Sequence, residues 1–216
     1  MMTLTEENYL KAFYRLSLAN EEITVKNVAV ELDVKMSTVN SMVKNLDEKK
    51  LIKYEKYKAI ELTEKGKKTA LLILRKHRLT ELFLANVMGL GWEEVHDIAE
   101  QLEHLQSDRF FERIDEMLGH PKYDPHGEPI PDAAGKLPLY NAKPLSEGKA
   151  GKKYKLAGVM NHDKSFLQYL NSLNVALGSS IEIKETVDFD KSMSVVLNNK
   201  TKTSFSLLIC SNLLVV

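Results

Sequence analysis

A chain of 216 residues, 44% of them apolar, is long enough for two or three small domains and ordinary for a packed protein. Its single cysteine, Cys210, excludes a disulfide framework and a cysteine-built zinc knuckle, and no apolar run reaches the roughly 18 residues that cross a bilayer. The start, MMTLTEENYL, is acidic and amphipathic rather than basic and apolar, so no signal peptide is expected and the chain is expected in the cytoplasm.

Net charge is zero, which alone argues against nucleic acid, but the charge is segregated. Residues 35–68 hold 10 Lys against 5 Asp and Glu, a local +5. Residues 93–132 hold 12 Asp and Glu against 3 Lys and Arg, a local −9. A basic block beside an acidic block points to one part that binds a polyanion and another that binds cations. Solvated surface is the alternative for each.

In chain order, residues 3–19 read as an amphipathic helix that opens with a Thr3/Glu6 capping box and ends at Asn20 and Glu21. Residues 23–50 read as helix-turn-helix. Ile23, Val25, Val28, Ala29 and Leu32 mark the first helix, and Asp33 to Met36 form a turn without glycine. Ser37 is the expected N-cap of the second helix, and Val39, Met42, Val43 and Leu46 its buried face. The opposite face offers Thr38, Asn40, Ser41, Lys44 and Asn45, groups suited to base edges and phosphates. LIKYEKYKAIELT follows as a hairpin with Lys and Tyr alternating at its tip. A basic hairpin after a recognition helix is a wing, and Lys56 and Lys58 are placed to meet phosphates. The alternative is a winged module that binds protein.

Thr63 is expected to cap a long helix over 64–87, which carries His77 and Glu81 four residues apart. Gly89 and Gly91 break it. A second helix, from Trp92 to about Gln106, carries His96, Glu100, Glu103 and His104 at offsets 0, 4, 7 and 8, predicted on one face. A third, from Ser107 to Leu118, shows Phe110, Phe111, Ile114, Met117 and Leu118. So much apolar helix surface predicts a homodimer interface. Residues 121–151 hold all six prolines and four of the ten glycines and read as a linker. Asp124 and His126 inside it are two further candidate ligands. From Tyr154 the pattern turns to strands: Tyr154–Met160, Ile181–Val187, Ser192–Leu197, Thr203–Ile209 and Leu213–Val216. Asn198-Asn199 supplies a hairpin turn and Ser165–Leu173 one helix, together a small β-barrel.

Three His and three Glu at helical register on two neighbouring helices predict a divalent-metal site. An oxygen-rich set with a minority of imidazoles favours Mn²⁺ or Fe²⁺ over copper, and the lack of thiolate weakens the case for structural zinc.

The segments ENYLKAFYRL, LDVKMSTVNSMVKNL, LTEKGKK, RKHRLTE, EVHDIAEQLEHLQSD and HGEPIP resemble the DtxR/MntR family of metal-dependent transcriptional repressors, over essentially the full chain. The resemblance implies a mainly α fold with a small β-barrel. It places a winged helix-turn-helix at 1–64 and a helical metal-binding and dimerisation domain at 65–121. A Pro-rich linker at 122–151 and an FeoA-like small β-barrel at 152–216 follow. It implies a primary metal site of Asn8, Glu100, Glu103 and His104. The implied ancillary site is His77, Glu81 and His96, completed by Asp124 and His126 and by a barrel residue, His162 or Asp163. DNA contacts are implied near Lys35, Ser37, Thr38 and Ser41. Three positions depart from the family pattern. Asn8 stands where relatives have Met or Asp, and Lys11 where a manganese-type binuclear site has Glu. Glu100 stands where iron-type members have Cys, which puts Mn²⁺ ahead of Fe²⁺.

The expectation is therefore a metal-activated repressor of metal-uptake genes, not an enzyme. Its expected partners are a palindromic double-stranded DNA operator and a second copy of the chain, with no membrane and no small organic substrate. Metal would join the helix bearing Asn8 to the helix bearing Glu100 to His104 and set the two winged domains at half-site spacing. A metallohydrolase built on the His/Glu cluster, or a winged-helix sensor of an organic ligand, are the alternatives.

Overall fold

The computed structural model describes residues 2–18, 22–56 and 58–216. The expected helix end at Asn20 and Glu21, and Tyr57 of the wing tip, lie outside the described residues. The chain forms two compact units. Unit 1 is Met1–His77, Gln101–Asp108 and Pro131–Leu137; unit 2 is Arg78–Glu100, Arg109–Ile130 and Pro138–Val216.

In unit 1, helix α1 (Leu4–Leu18) opens with the expected capping box. Thr3 N donates to Glu6 Oε2 at 3.0 Å, and Glu6 N donates to Thr3 Oγ1 at 3.3 Å. Glu6 is buried, and its other oxygen accepts from Asn45 Nδ2 at 2.6 Å and from Lys49. Burial pushes the Glu6 carboxyl up, but these donors outweigh it and hold the group low. Helix α2 (Val25–Glu31) is capped by Thr24, whose Oγ1 accepts from Asn27 N. Asp33 takes φ +50 in the following turn, the left-handed conformation that glycine usually supplies and that a short polar side chain tolerates. Helix α3 (Met36–Glu48) starts two residues earlier than expected: Lys35, not Ser37, holds the cap position, with no side-chain cap bond. Strands β1 (Ile52–Lys53) and β2 (Glu61–Leu62) pair antiparallel as the wing. Helix α4 (Glu64–Asn86) begins where Thr63 Oγ1 accepts from Gly66 N at 3.0 Å. Leu10, Phe13, Val28, Val39, Val43, Leu46, Ile52 and Ala70 pack as one core, the apolar stripes of the helices turned inward.

Unit 2 takes α4 from Arg78 onward. Helix α5 (Val95–Leu102) is shorter than expected: Trp92 to Glu94 form a turn before it, and Glu103 and His104 lie beyond its end. Helix α6 (Asp108–Met117) packs Phe111 and Ile114 against Leu79 and Ile130. Strands β3 (Lys143–Pro144), β4 (Lys153–Val159), β5 (Ser180–Thr186), β6 (Met193–Leu197), β7 (Thr201–Phe205) and β8 (Leu213–Val215) form an antiparallel sheet, ordered β3-β8-β4-β5-β6-β7. Helices α7 (Lys164–Ser172) and α8 (Leu207–Asn212) accompany it. Its core is Leu156, Leu167, Ile181, Ile183, Leu197, Phe205 and Leu213. Asn198 and Asn199, at φ +50 and +59, open the three-residue turn between Leu197 of β6 and Thr201 of β7, and Lys200 N donates to Leu197 O at 2.9 Å.

The sheet differs from the expected closed barrel. Strand pairing runs from β3 at one edge to β7 at the other without joining them. The strand expected over Thr203–Ile209 stops at Phe205, because Ser206 Oγ accepts from Ile209 N and starts α8. The Pro-rich stretch is also more built than a linker. Tyr123 bridges Pro129, β3 adds an edge strand and Leu145–Glu147 forms a 3₁₀ turn. Among the described residues no helix is long and apolar enough to cross a membrane.

Candidate metal centres

Each unit holds one cluster of carboxylates and imidazoles. In unit 1, α1 presents Glu7 and Lys11 one turn apart, α4 presents His77, and the segment after α5 presents Glu103, His104 and Gln106. Glu103 is fully buried. Its Oε1 meets Lys11 Nζ at 2.6 Å and its Oε2 meets His77 Nδ1 at 2.7 Å. Glu7 Oε2 meets His104 Nδ1 at 2.6 Å, and Glu7 Oε1 accepts from Gln106 Nε2 at 3.2 Å. His104 Nε2 faces Glu103 Oε1 at 3.4 Å. Both carboxylates thus face cationic or N–H groups inside the chain, and Glu103 Oε1, beside Lys11, makes no hydrogen bond among the described residues.

The unit 2 cluster is built differently. Glu81, Asp124 and His126 are all buried, and each offers one ligand atom within 4.8 Å of the others. The loop that carries Asp124 and His126 is fixed by its own backbone. Asp124 Oδ1 accepts from His126 N at 2.8 Å and from Glu128 N at 2.9 Å. Val159 N donates to His126 O at 2.9 Å, which docks the loop on β4. Gly127 makes that approach possible: it sits at φ +84, and a Cβ there would stand 2.0 Å from Ala157 O. His126 Nε2 donates to Trp92 O at 2.8 Å, which turns Nδ1 toward Glu81 Oε2 at 3.6 Å. His96 Nδ1 lies 3.1 Å from Glu81 Oε1, and its Nε2 3.9 Å from Glu100. Arg78 anchors the loop from outside, donating to Glu128 Oε2 and Pro129 O.

Two of these ligand atoms are not spent. Among the described residues, buried Asp124 Oδ2 and His126 Nδ1 make no hydrogen bond. Burial, reinforced by Glu81 and Glu128, pushes the Asp124 carboxyl up to about 8 against the pull of Arg78. Burial works against a charged His126, yet the Glu81 and Asp124 carboxylates outweigh it and raise its pKa. His162 stacks on His126 at 4.3 Å and meets His96 edge-on at 5.8 Å. Its buried Nε2 makes no hydrogen bond among the described residues, and burial pushes the ring down to about 4 with Glu128 opposing. Two carboxylates and an imidazole, buried with unspent atoms, fit a hard divalent cation.

Three known domains together match most of the chain. "Iron dependent repressor, N-terminal DNA binding domain" matches residues 1–60, "Iron dependent repressor, metal binding and dimerisation domain" matches 63–132, and the FeoA domain matches 143–216. A solved structure titled "Manganese-dependent transcriptional repressor complex with manganese" is 33% identical, covers 98% of this chain and 99% of its own, and superposes with a TM-score of 0.87. The chain belongs to the DtxR/MntR family. The MntR regulator of Oceanobacillus iheyensis is 35% identical to this family member over 124 residues, 57% of this chain and 84% of the relative. The iron-dependent repressor IdeR of Mycobacterium tuberculosis is 37% identical over 127 residues, 59% of this chain. The match spans about half the length of IdeR, 55%.

In this DtxR/MntR-family chain α5 carries His96 and Glu100 and ends at Leu102, so Glu103 and His104 lie beyond its end. His77 partners Glu103 in unit 1, whereas Glu81, one turn further along α4, partners His96 and His126 in unit 2. Asp124 and His126 join Glu81. The α1 residue brought to His104 is Glu7, and Asn8 Oδ1 is buried without a hydrogen bond among the described residues. Of the two barrel candidates, His162 lies against the cluster, while Asp163 is exposed at the start of α7. Glu7 and Glu128 were missed in the sequence. Glu7 neighbours the family's ligand position, and a carboxylate one residue from a neutral Asn was the available signal. Lys35, Ser37, Thr38, Asn40, Ser41 and Lys44 are exposed on and before α3, and Lys56 and Lys58 are exposed on the wing, with Lys58 2.5 Å from Glu55.

Proposed function

We propose that this chain is a metal-activated, DNA-binding transcriptional repressor, acting as a homodimer in the cytoplasm on genes for metal uptake, and not an enzyme. Mn²⁺ is its first ion and Fe²⁺ the alternative. One observation carries the reading: the buried Glu81–Asp124–His126 set, with unspent ligand atoms, in a chain that also presents an exposed helix-turn-helix face and a basic wing. Glu81, Asp124 and His126 would hold the ion, with His96, Glu100 and His162 beside them. Two oxygens and one imidazole suit Mn²⁺ or Fe²⁺, and the names of the relatives divide between manganese and iron. A bound ion would add positive charge beside Asp124 and Glu81 and would tie the 124–128 loop to the unit 2 part of α4.

DNA contact falls to Lys35, Ser37, Thr38, Asn40, Ser41 and Lys44, with Lys56 and Lys58 on phosphates. Exposed Val87, Met88, Phe110 and Met117 support a second copy as partner. The same reading keeps the division into 1–64, 65–121, 122–151 and 152–216, and takes the C-terminal sheet as an open form of a small barrel. Titration of the purified protein against operator DNA with and without Mn²⁺, Fe²⁺, Zn²⁺ and Co²⁺ tests it. Tighter binding with Mn²⁺ or Fe²⁺ is expected; equal affinity with and without metal would sink the reading.

A further inference from the structure

Two segments change unit along the chain: α4 between His77 and Arg78, and the Pro-rich stretch between Ile130 and Pro131. On each side of that change an arginine of α4 takes a carbonyl of the stretch. Arg78 Nη1 donates to Pro129 O at 2.7 Å within unit 2, and Arg75 Nη1 donates to Pro131 O at 2.7 Å within unit 1. The two arginines follow one another by about one helical turn. Between the two carbonyls the backbone is stiff. In Glu128-Pro129-Ile130-Pro131 both prolines have a fixed φ, and both residues before them are kept out of the α region. Ile130 is buried, and its N donates to Lys122 O at 2.8 Å. Upstream lies the 124–128 loop with Asp124 and His126. Downstream, residues 131–137 are built into unit 1. Asp132 Oδ1 accepts from Ala134 N and Lys136 N. Gly135 lies against α4, where a Cβ would stand 3.3 Å from Lys68 Cγ, and Leu137 packs on the unit 1 core. The Arg75 charge also acts on the Asp132 carboxyl, which the Lys136 N–H chiefly holds low.

We propose that residues 128–137 are a strap that carries the state of the 124–128 loop into unit 1, with Arg75 as the positioning residue that fastens its unit 1 end. Ordering of the loop restrains one end of a stiff segment. The carbonyl clamps pass that restraint along the backbone, where a Gly- and Ser-rich linker would absorb it. That Mn²⁺ orders the loop and that DNA binding is the output both rest on the function proposed above; the fastening by Arg75 does not.

Hydrogen exchange of the chelator-treated full chain, with and without Mn²⁺, tests it, with residues 122–130 and 131–138 read as separate peptides. In wild type Mn²⁺ is expected to slow exchange in both. In Arg75→Met, which keeps an apolar stem and loses the guanidinium, it should slow the first alone, and the second should exchange faster than in wild type even without metal. Mn²⁺ uptake by equilibrium dialysis and metal-free operator affinity should stay at wild-type values. The gain in operator affinity with Mn²⁺, about 5- to 150-fold for a coupling of ordinary size, should disappear. Asp132→Ala, at an exposed turn, should act in the same direction and carries the test if Arg75→Met does not fold. A wild type in which Mn²⁺ slows 122–130 and leaves 131–138 unchanged overturns the proposal. So does a variant that keeps the Mn²⁺ effect on 131–138 or loses Mn²⁺ uptake. If both peptides respond in wild type and operator affinity does not, the function proposed above fails and the strap stands. If neither peptide responds, both fall.

Discussion

The two clusters draw on the same residue types and differ in what balances them. In unit 1, Lys11 and the imidazoles of His77 and His104 cover the oxygens of Glu103 and Glu7. In unit 2, Arg78 is turned toward Glu128 and stands 3.6 Å from Asp124 Oδ2, and Glu81 faces the imidazoles of His96 and His126. In the first arrangement an ammonium and two imidazoles face the carboxylates. The second is held in shape by backbone, through the Asp124 turn, the Gly127 approach and the Trp92 carbonyl, and leaves Asp124 Oδ2 and His126 Nδ1 unspent. A structural ion pair and a binding site are told apart by whether the ligand geometry is fixed independently of the charges it must hold.

The largest effect expected from breaking this contrast is on stability. Glu103→Ala removes the carboxylate that Lys11 meets at 2.6 Å, and removing one partner of a buried pair costs about 3–5 kcal/mol. Chemical denaturation with and without Mn²⁺ measures it. A loss below about 1 kcal/mol would mean that the pair behaves as an exposed one. Asp124→Ala should act on the response instead. Operator affinity in saturating Mn²⁺ should drop to the metal-free value, a loss of about 5- to 150-fold if the coupling is of ordinary size. If Asp124→Ala still tightens on DNA with Mn²⁺, the metal acts elsewhere.

The third test is the pH dependence of the metal-free chain. Asp124 titrates near 3.8 when solvated and is pushed up to about 8 by burial and by Glu81 and Glu128. Between those values the folded chain holds a proton that the unfolded chain has lost, so stability falls as pH rises. The contribution is full below about pH 4 and gone above about pH 8. Melting temperatures from pH 5 to 8 should therefore decline, and Asp124→Asn, which has no proton to lose, should flatten the decline. An unchanged slope in Asp124→Asn would assign it to another group.

Much of this was legible in the sequence. The Thr3/Glu6 capping box, the Thr63 cap and the Asn198-Asn199 turn are local signals, and local bonds realise all three. The helix-turn-helix came from apolar spacing, and Val39, Val43 and Leu46 are fully buried. What could not be read is where a pattern stops. The ligand offsets suggest a helix from His96 through His104, but it ends at Leu102 and Glu103 turns to Lys11 and His77, a contact between residues 92 positions apart in the case of Lys11. Phe205 to Ile209 looks β-prone, but Ser206 caps a helix there, a signal the apolar run masked. Pro144 looks like linker and is an edge-strand residue, where a missing N–H costs no ladder bond. Family position pointed to Asn8; one residue along a helix is about 100° of rotation, and the residue facing His104 is Glu7.

That last difference gives the smallest expected effect and the finest test of the contrast. Asn8 Oδ1 is buried with no hydrogen bond among the described residues, so the oxygen contributes little that truncation can remove. Asn8→Ala should change stability by less than about 1 kcal/mol and leave both the Mn²⁺ count and the Mn²⁺ effect on operator binding at wild-type values. Glu7→Gln, its neighbour, should lower the melting temperature more, because it weakens the bond to His104 that fastens α1. If Asn8→Ala instead removes an ion or the DNA response, unit 1 holds metal through Asn8. The two clusters would then be two sites, and Lys11 would have to move aside whenever the first is filled.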